Sequence, residues 1–427
     1  MPKKKSIVIV SLLLSCVALG GISGVALRGK YENTVGRLVP SDVYATETAK
    51  IRDDNSPIMG GHSTANYFEA VLQLVSDEYV DPVTDPKKFA QGAIRFMLQR
   101  LDDAGSRFYD EKEWPAYLGM FEGKYQGIGA DLIVKSIGTE GKYEFPLIVA
   151  SVADGGPAQR AGLATGDVID EIDGRWIASR SLLIDLDAKN AELQAKKITE
   201  EQFDIFLKQL RKSAETLITI YKAMTDLTAT AGPQVSLRII RNGKPIVLKV
   251  SREGVEVETI ESINGVIRIR SFGSGVAERL QELIANKNEL TLDLRGNPGG
   301  SWEVMESCLA LLIPSGKWGG IRNEPGQPIQ PLKIDNGVAI TRKLRVLVDN
   351  GTAREAEMFV AGLRDRCKAE VIGAPTLGMG IQSKRFPLVD GSGYTLTSGR
   401  IFDINDKPLF REEVILSGIS AANEKKL

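Results

Sequence analysis

The period of the hydrophobic positions changes several times along the chain and divides it into segments. Between Tyr67 and Arg100, apolar residues recur every three or four positions in two runs separated by YVDPVTDP, which predicts two helices joined by a turn. From Phe121, short apolar runs alternate with glycine turns, which predicts β-strands. The stretch from about 182 to 226 is rich in helix formers and almost free of Gly and Pro, so we expect inserted helices there.

After Gly265 the pattern alternates strands with helices. The strand-like runs VIRIRSF, LTLDLRG, KLRVLVD and AEVIGA are separated by helix-forming stretches. This alternation predicts parallel α/β layers. Just before it, VSLRIIRNGKPIVLKV is typical of a β-hairpin that turns at Asn242-Gly243. The predicted fold class is therefore α+β and multidomain, with an N-terminal helical segment, a β-barrel that carries a helical insertion, and an α/β core.

The N-terminal segment has the pattern of a membrane signal. MPKKK is followed by an almost continuous apolar stretch from Ser6 to Leu27. About 20 apolar residues can span a bilayer, and the preceding lysines favour the cytoplasmic side. We therefore expect an uncleaved signal anchor over residues 1–28, a polar linker over 29–64, and the rest on the extracytoplasmic side, periplasmic or at the cell surface. A cleaved, lipoprotein-like segment around Cys16 is the alternative.

Composition narrows the function classes. The net charge of −1 over 427 residues does not favour a nucleic acid partner. The single histidine, His62, is too little for a His-rich metal site or an ordinary Ser-His-Asp triad. The cysteines form no metal-binding pattern, so we expect no metal and no cofactor. Cys308 and Cys367 lie in apolar helical patterns and are predicted to be buried free thiols rather than a disulfide.

The strand region carries a specific set of motifs. GIGADLIV is followed by GGPAQRAGLATGDVIDEIDG. This order resembles a PDZ domain, which we place at 119–256 with the helical insertion at 182–226. The backbone N–H groups of the glycine loop are expected to be free to bind a carboxylate, beside a strand edge that accepts a peptide. The predicted peptide-binding residues are Gly127, Ile128, Gly129 and Ala130.

The later segments, taken in order, resemble the C-terminal processing (tail-specific) proteases of peptidase family S41. They include GVIRIRSF, LTLDLRGNPGG, DNGTAREAEMFVAG and VIGAPTLGMGIQ. The resemblance places an S41 protease-like core at 257–427 and the N-terminal helical segment at 65–118. It implies acyl transfer by a serine that a neutral lysine activates. It also makes Gly299 and Gly300 a candidate oxyanion-like loop; a purely structural turn is the alternative.

Both chemical residues of that family are replaced in this chain. The nucleophile motif, Gly-Ser/Thr-Ala-Ser-Ala-Ser-Glu, falls on GTAREAE, so that the attacking serine corresponds to Arg354. The lysine motif, Thr-Phe-Gly-Lys-Gly, falls on TLGMG, so that the lysine corresponds to Met379. Gln382 is the candidate for the glutamine that follows. Arginine is neither a nucleophile nor a base at neutral pH, and methionine takes no proton. No catalytic residue is therefore expected.

Arg354 has two possible roles in the vacated site. It could form an ion pair with Glu355, Glu357 or Asp349, which would offset the unfavourable position of a cation at a helix N-terminus. Alternatively, it could hold the terminal carboxylate of a peptide in a two-pronged contact. The second role makes Arg354 a candidate peptide-binding residue.

The sequence thus predicts a catalytically inactive S41-like protein that binds protein C-termini or unfolded segments through its PDZ domain, as a scaffold or a regulator of proteolysis. A homo-oligomer and a partner protease are the candidate assemblies, and the membrane is contacted through the anchor. The alternative is an active serine-type endopeptidase with non-standard residues. Its candidate nucleophiles are Ser301 and Thr352, although Thr352 is also expected to be the N-cap of the helix that follows.

Overall fold

The computed structural model describes residues 63–409, with gaps at 82–84, 100, 102, 104, 135–136, 140–141, 145, 179–188, 230–231, 233, 286 and 339–342. The chain divides into two compact units, Met1–Met97 and Leu98–Leu427. The predicted anchor and nearly all of the predicted linker lie outside the described residues, as do Cys16 and His62. Within the described ranges, no helix has the length and apolar character needed to cross a membrane.

The first unit contains the predicted N-terminal helices. They are α1 (Ser63–Glu78) and α2 (Pro86–Gln99), and α2 continues past the boundary between the units. Helix α1 begins inside the predicted linker, which was expected to end at residue 64. Several apolar side chains of these helices are exposed, among them Phe68, Leu74, Phe89 and Phe96.

The second unit contains both β-sheet regions. Its helices are α3 (Glu113–Phe121), α4 (Pro157–Arg160), α5 (Glu200–Glu215), α6 (Ile220–Thr228), α7 (Val276–Ile284), α8 (Trp302–Ala310) and α9 (Glu355–Cys367). Its first strands are β1 (Arg107–Tyr109), β2 (Lys124–Tyr125), β3 (Ala130–Val134), β4 (Ile137–Thr139), β5 (Lys142–Glu144), β6 (Leu147–Val152), β7 (Val168–Ile172), β8 (Arg175–Trp176), β9 (Gln234–Arg241) and β10 (Lys244–Ser251). They are followed by β11 (Val255–Glu256), β12 (Ile260–Ile263), β13 (Val266–Ile269), β14 (Glu289–Asp293), β15 (Gly316–Arg322), β16 (Gln330–Ile334), β17 (Lys343–Val348), β18 (Glu370–Gly373), β19 (Ile381–Pro387) and β20 (Gly393–Phe402).

The PDZ-like sheet consists of β10, β9, β7, β6 and β3 in that order, with β8 paired to β7. Its pairings are antiparallel. The hairpin of β9 and β10 turns at Asn242-Gly243, as the sequence predicts, with Lys244 opposite Arg241. Strand β3 is the last strand of this order, so its outer edge carries no strand among the described residues.

Helix α6 belongs to the core of the PDZ-like sheet. Its buried residues Ala223, Met224 and Leu227 pack in one cluster with Ile169 and Leu237. The predicted insertion, 182–226, therefore ends inside a core helix rather than before it. The insertion and the core helix α6 are both rich in helix formers, with almost no Gly or Pro between them. The sequence pattern therefore does not show where the insertion ends and α6 begins.

The protease-like core is built on a second sheet. Its order is β12-β13-β14-β17-β18, parallel from β13 onward, as the βα alternation predicts. The largest apolar cluster lies between this sheet and helices α7, α8 and α9. Cys308 is buried within it, and Cys308 and Cys367 are free thiols as predicted, although Cys367 is only half-buried.

A further sheet has the order β1-β20-β15-β16, with β19 also paired to β20. Strand β1 comes from the segment before the PDZ-like sheet, yet it pairs with β20, so that Arg107 lies opposite Thr395. The segment predicted as an N-terminal helical region thus contributes a strand to the protease-like core.

Candidate active site

The candidate site is the turn that joins β17 to α9. Arg354 immediately precedes the first residue of α9 and has φ 51° and ψ −122°. A positive φ is strained for a bulky side chain, and such strain is typical of functional turns. A sharp strand-to-helix turn is also how α/β-hydrolases present a nucleophile. The turn therefore keeps the backbone shape that presents a reactive side chain, but an arginine occupies it.

Thr352 is not the N-cap of α9, in contrast to the prediction. Its hydroxyl donates to the carbonyl of Leu294 at 2.8 Å and accepts from the backbone N–H of Asp349 at 3.1 Å. The N-cap position belongs to Arg354, whose backbone N–H donates to Glu357 Oε2 at 3.2 Å. The hydroxyl of Thr352 thus anchors the turn to the carbonyl of Leu294, directly after β14, and does not cap α9.

The Arg354 guanidinium is paired with the PDZ-like sheet. Nη1 lies 3.2 Å from Asp131 Oδ2 and donates to the carbonyl of Pro298 at 2.8 Å. Only 12% of the Arg354 side chain and 8% of the Asp131 side chain are exposed. Burial opposes the charge, but Asp131 and the neighbouring tyrosines outweigh it and raise the pKa of Arg354 above its ordinary value. The arginine is a permanent, buried cation.

This pairing corrects the predicted ion pair. In the ion-pair alternative, Arg354 was expected to pair with Glu355, Glu357 or Asp349. It instead forms an ion pair with Asp131 on β3, a residue for which the sequence predicted no such role. One signal could have found it, since Asp131 is the only charged residue of the strand ADLIV. Carboxylates are seldom buried without a partner, so a charge in an apolar strand calls for a cation nearby.

Met379 is also held against the PDZ-like sheet. It is 5% exposed and packs in an apolar cluster. The other buried members are Ile133, Ile148, Ala150, Ala353, Leu377 and Ile381. Three of these side chains come from β3 and β6, so Met379, which the resemblance aligns with the family's lysine, joins the two sheets by apolar contact. A thioether in such a cluster offers no base.

Glu357 holds the loop that carries Met379. Its carboxylate accepts from the hydroxyl of Thr376 at 2.7 Å and from the backbone N–H groups of Gly378 and Met379, the latter at 2.9 Å. The Arg354 N–H adds a further donor. Burial raises the pKa of Glu357, while these hydrogen bonds oppose the rise. One buried carboxylate thus fixes Arg354 and Met379 relative to each other.

The oxyanion-like loop is present, but its amides are used within the chain. The Gly300 N–H donates to Glu355 Oε2 at 3.0 Å, and the Gly299 N–H donates to Asn297 Oδ1 at 2.8 Å. Glu355 stands where the family's nucleophile motif has alanine. A Cβ on Gly299 would lie 2.3 Å from Glu355 Oε2, so the loop and this carboxylate fit closely. The Glu355 carboxylate lies where a developing oxyanion would need donors.

The remaining candidates have structural contacts. The Ser301 hydroxyl accepts from the N–H of Val304 at the start of α8 and donates to Glu303 at 2.6 Å, which lowers the pKa of Glu303. Gln382 lies on β19, where its side-chain oxygen accepts from the Ser398 hydroxyl at 3.3 Å. Lys384 is exposed on the same strand. No cluster of potential metal ligands occurs among the residues that the structure describes.

The glycine loop of the PDZ-like sheet differs from its prediction. Its N–H groups were expected to be free, but the Ile128 N–H donates to the carbonyl of Leu227 at 3.0 Å and the Gly129 N–H to that of Gln126 at 3.1 Å. Ile128 is buried, and Gly127 and Gly129 have positive φ values of 65° and 73°. The partner carbonyl comes from α6, about 100 residues later in the sequence, which local reading of the loop cannot reveal.

A cleft of about 50 Å³ lies beside β3. Ala130, Asp131 and Leu132 line it, and each of them is at most 8% exposed. Helix α6 contributes Met224 to the opposite wall, and α3 contributes Tyr117. Asp131 thus faces both the cleft and the buried arginine.

Comparison with protein families agrees with this arrangement. Residues 264–419 match the model of peptidase family S41, and residues 148–186 match that of a PDZ domain. The chain thus contains one segment similar to peptidase family S41 and one similar to a PDZ domain. The S41 match covers the parallel strands β13, β14, β17 and β18, the turn at Arg354 and the loop at Met379. The PDZ match covers all but the first residue of β6 together with β7 and β8.

Proteins similar to this chain include processing proteases. It is 26% identical over 366 residues to the carboxy-terminal processing protease CtpA of Bacillus subtilis (strain 168), covering 83% of this chain and 68% of that protein. It is 25% identical over 342 residues to the "Probable CtpA-like serine protease" of Staphylococcus aureus (strain COL), covering 77% of this chain. The alignment spans 59% of that relative's length, so the relative is considerably longer than the matched region.

A solved structure confirms the fold. The photosystem II D1 C-terminal processing protease superposes with a TM-score of 0.54 at 21% identity, over 87% of this chain and 91% of that one. At this identity the likeness concerns the fold, and it confirms the predicted multidomain α+β class.

Proposed function

We propose that this S41 protein binds extended polypeptide without hydrolysing it. The observation that carries the proposal is the buried ion pair of Arg354 and Asp131 at the turn where the family resemblance puts the attacking serine. A guanidinium has no lone pair available for attack and no proton acceptor capacity. Its place at the centre of the site leaves that turn without a nucleophile.

The surroundings support the same proposal. The position of the activating lysine is Met379, within an apolar cluster. The Glu355 carboxylate already accepts the Gly300 N–H, so that this donor is not free for an oxyanion. Three separate requirements of acyl transfer are therefore unmet at neighbouring positions: the nucleophile, the base and the free donor.

The position of β3 at the end of its sheet supports polypeptide binding. A strand at the end of a sheet can accept an extended peptide as an additional strand, with backbone hydrogen bonds supplying affinity. C-terminal tails and unfolded segments are the two ligand classes that the sequence suggests. A non-hydrolysing binder of this kind would act as a scaffold or as a regulator of an active protease. Membrane anchoring, an extracytoplasmic location and assembly into oligomers or with a partner protease remain predictions.

The test separates binding from cleavage. Full-length protein is incubated with reduced, carboxymethylated α-lactalbumin, an unfolded polypeptide, and both the complex and the products are followed by gel filtration and mass spectrometry. We expect a complex and intact polypeptide. The matched control is the Ser301→Ala variant, which removes the hydroxyl with the best claim to an unconventional nucleophile.

Cleavage would favour the alternative, an active endopeptidase. It would count against the proposal if it persisted through repurification and disappeared in Ser301→Ala. The structure offers little support for it, because the Ser301 hydroxyl is engaged with α8 and its acceptor Glu303 has a lowered pKa, which makes it a weak base. Absence of both complex and cleavage would reject the binding function.

A further inference from the structure

We propose that helix α3 closes the cleft beside β3 from within the chain, so that the described conformation is a self-inhibited state of the protein. A ligand that pairs with β3 must first separate α6 from α3. This inference rests on the proposed binding function and adds the regulation of the same site. The size of the cleft, the face that α3 turns to it and the contacts on either side of α3 support it.

The cleft is too small for a polypeptide in the described conformation. Its volume is about 50 Å³. A cavity needs roughly 10–15 Å³ to hold one water molecule, so the cleft has room for a few waters and not for a backbone with side chains. Asp131 on β3 and Met224 on α6 both line it and are buried. The space in which a ligand strand could pair with β3 is therefore occupied by other parts of the chain.

One face of α3 lines the cleft. Its four lining residues lie three or four positions apart, which places them on the same side of the helix. They are Glu113, Ala116, Tyr117 and Met120. Tyr117 also stacks on Tyr109 of β1, with 4.4 Å between the ring centroids. Helix α3 thus fills this space with a whole face and not with a single side chain.

A hydrogen bond joins α3 to α6. The Thr225 hydroxyl donates to Glu113 Oε1 at 2.6 Å, and Glu113 is buried. Tyr221 O lies 2.9 Å from the same hydroxyl, but a carboxylate is the stronger acceptor. Arg107 lies 3.4 Å from Glu113 Oε1 and balances its charge. The contact between Thr225 and Glu113 therefore stabilises the closed arrangement.

The segments on either side of α3 are fastened to the protease-like core. Before α3, strand β1 pairs with β20. At its end, the Ser271 hydroxyl donates to Phe121 O at 2.7 Å and the Ser274 N–H donates to the Glu122 carboxylate at 3.1 Å. The Arg385 guanidinium lies over the Phe121 ring, 4.5 Å from its centroid. Helix α3 therefore stays with the core when the cleft opens, and β3 and α6 are the elements that move away.

The ion pair of Arg354 and Asp131 spans the same boundary. Asp131 lies on β3 and lines the cleft, while Arg354 belongs to the turn before α9. Opening must break this pair together with the contact between Thr225 and Glu113. When the competent form of a site is rarely populated, the apparent affinity falls by the populated fraction. Both contacts therefore lower the affinity for a ligand of β3.

The experiment weakens the closing contact and measures binding. Thr225→Val removes the hydroxyl that reaches Glu113 and keeps the shape of the side chain. Fluorescently labelled, reduced and carboxymethylated α-lactalbumin is titrated with full-length protein, and binding is followed by fluorescence anisotropy. We expect Thr225→Val to bind about tenfold more tightly than the wild type, since loss of a hydrogen bond to a charged group raises the open fraction by about that factor.

The matched control is Ser307→Ala, which removes a hydroxyl that donates to Glu303 O within α8 at 2.8 Å. It should bind as the wild type does, to within about twofold. Unchanged or weaker binding by Thr225→Val would overturn the closure by α3 and leave the binding function intact. Absence of binding by both the wild type and Thr225→Val would reject the binding function itself.

Hydrogen exchange without ligand gives a second readout. We expect the amides of β3 to exchange faster in Thr225→Val than in the wild type, because the cleft opens more often. The amides of β14, in the parallel sheet, should keep their rates. Exchange that is accelerated by the same factor in β14 would show general destabilisation and would overturn the inference.

Discussion

The frame of the candidate site and the residues inside it have different roles. We use the term frame for two loops, the oxyanion-like loop Asp293–Gly300 and the loop Thr376–Gly380. Buried carboxylates hold them by hydrogen bonds, Glu355 through the Gly300 N–H and Glu357 through Thr376 and the Met379 N–H. The side chains inside it, Arg354 and Met379, make their main contacts with the PDZ-like sheet. The comparison teaches that a fold can keep the frame of an active site for its own stability while the enclosed residues become contacts between two sheets.

The largest expected effect comes from breaking the buried ion pair. Arg354→Met leaves Asp131 buried without its cation, and removal of one partner of a buried pair typically costs about 3–5 kcal/mol. We expect a loss near the middle of that range, about 4 kcal/mol, in the free energy of unfolding from urea titration.

The matched experiment is a double-mutant cycle. Asp131→Asn in the Arg354→Met background should recover part of the loss, because no buried charge is then left unpaired. Strictly additive effects of the two substitutions would show that the pair is not coupled and would remove one of the two contacts on which the comparison depends.

Breaking the frame is expected to cost slightly less. Glu357→Gln keeps the shape of the side chain but replaces one acceptor oxygen with a donor, so that it can no longer satisfy both the Gly378 N–H at Oε1 and the Met379 N–H at Oε2. We expect a loss of about 3 kcal/mol in urea-induced unfolding, since hydrogen bonds to charged groups contribute about 1.5–3 kcal/mol each.

The control for the frame is Glu282→Gln, a carboxylate with a 66% exposed side chain in a surface pair. It should change stability by less than about 0.5 kcal/mol. A Glu357→Gln protein as stable as the wild type would indicate that the loop is held mainly by its apolar contacts.

The apolar contact is tested by truncation. Met379→Ala removes a buried side chain from the cluster that joins the sheets, and we expect a loss of about 2 kcal/mol, at the lower end for such truncations. Met379→Leu, which conserves volume, should cost less than about 1.5 kcal/mol. Equal losses in the two variants would mean that the cluster responds to side-chain shape rather than to lost burial.

The smallest expected effect concerns hydrolysis, where we expect no change. Arg354→Ser combined with Met379→Lys restores both dyad positions, yet we expect no cleavage of unfolded polypeptide, because Glu355 still accepts the Gly300 N–H. Addition of Glu355→Ala frees that donor and is the matched third step. Cleavage by the double variant, measured by mass spectrometry of the products, would show that the occupied amide is no obstacle.

Local patterns in the sequence predicted much of the fold. The βα alternation after Gly265 gave the parallel sheet because each strand and helix carries its own periodicity. The Asn242-Gly243 hairpin was predictable because two turn residues set the register. The assignment of Arg354 and Met379 to the dyad positions stays a prediction, which rests on the short, contiguous motifs around them.

Contacts between distant segments were not predictable. Arg354 and Asp131 are 223 positions apart, and no local pattern indicates that they meet. The closed glycine loop depends on a carbonyl of α6, and the extent of the insertion depends on which helix packs in the core. Tertiary packing determines each of these contacts. It also determines why Arg354 pairs with Asp131 and not with the carboxylates that are closer in the sequence.

Because β1 pairs with β20, one sheet of the protein can be completed only late in synthesis of the chain. The Arg107 N–H donates to Thr395 Oγ1 across 288 positions of sequence, so this part of the sheet can close only after nearly all of the described chain has been made. A fragment beginning at residue 257 would lack β1 and leave β20 unpaired on one side at Gly393 to Thr395, and unpaired edges invite aggregation. Expression of the isolated protease-like core should therefore yield insoluble protein, which a separate peptide containing Arg107–Tyr109 could help to keep in solution.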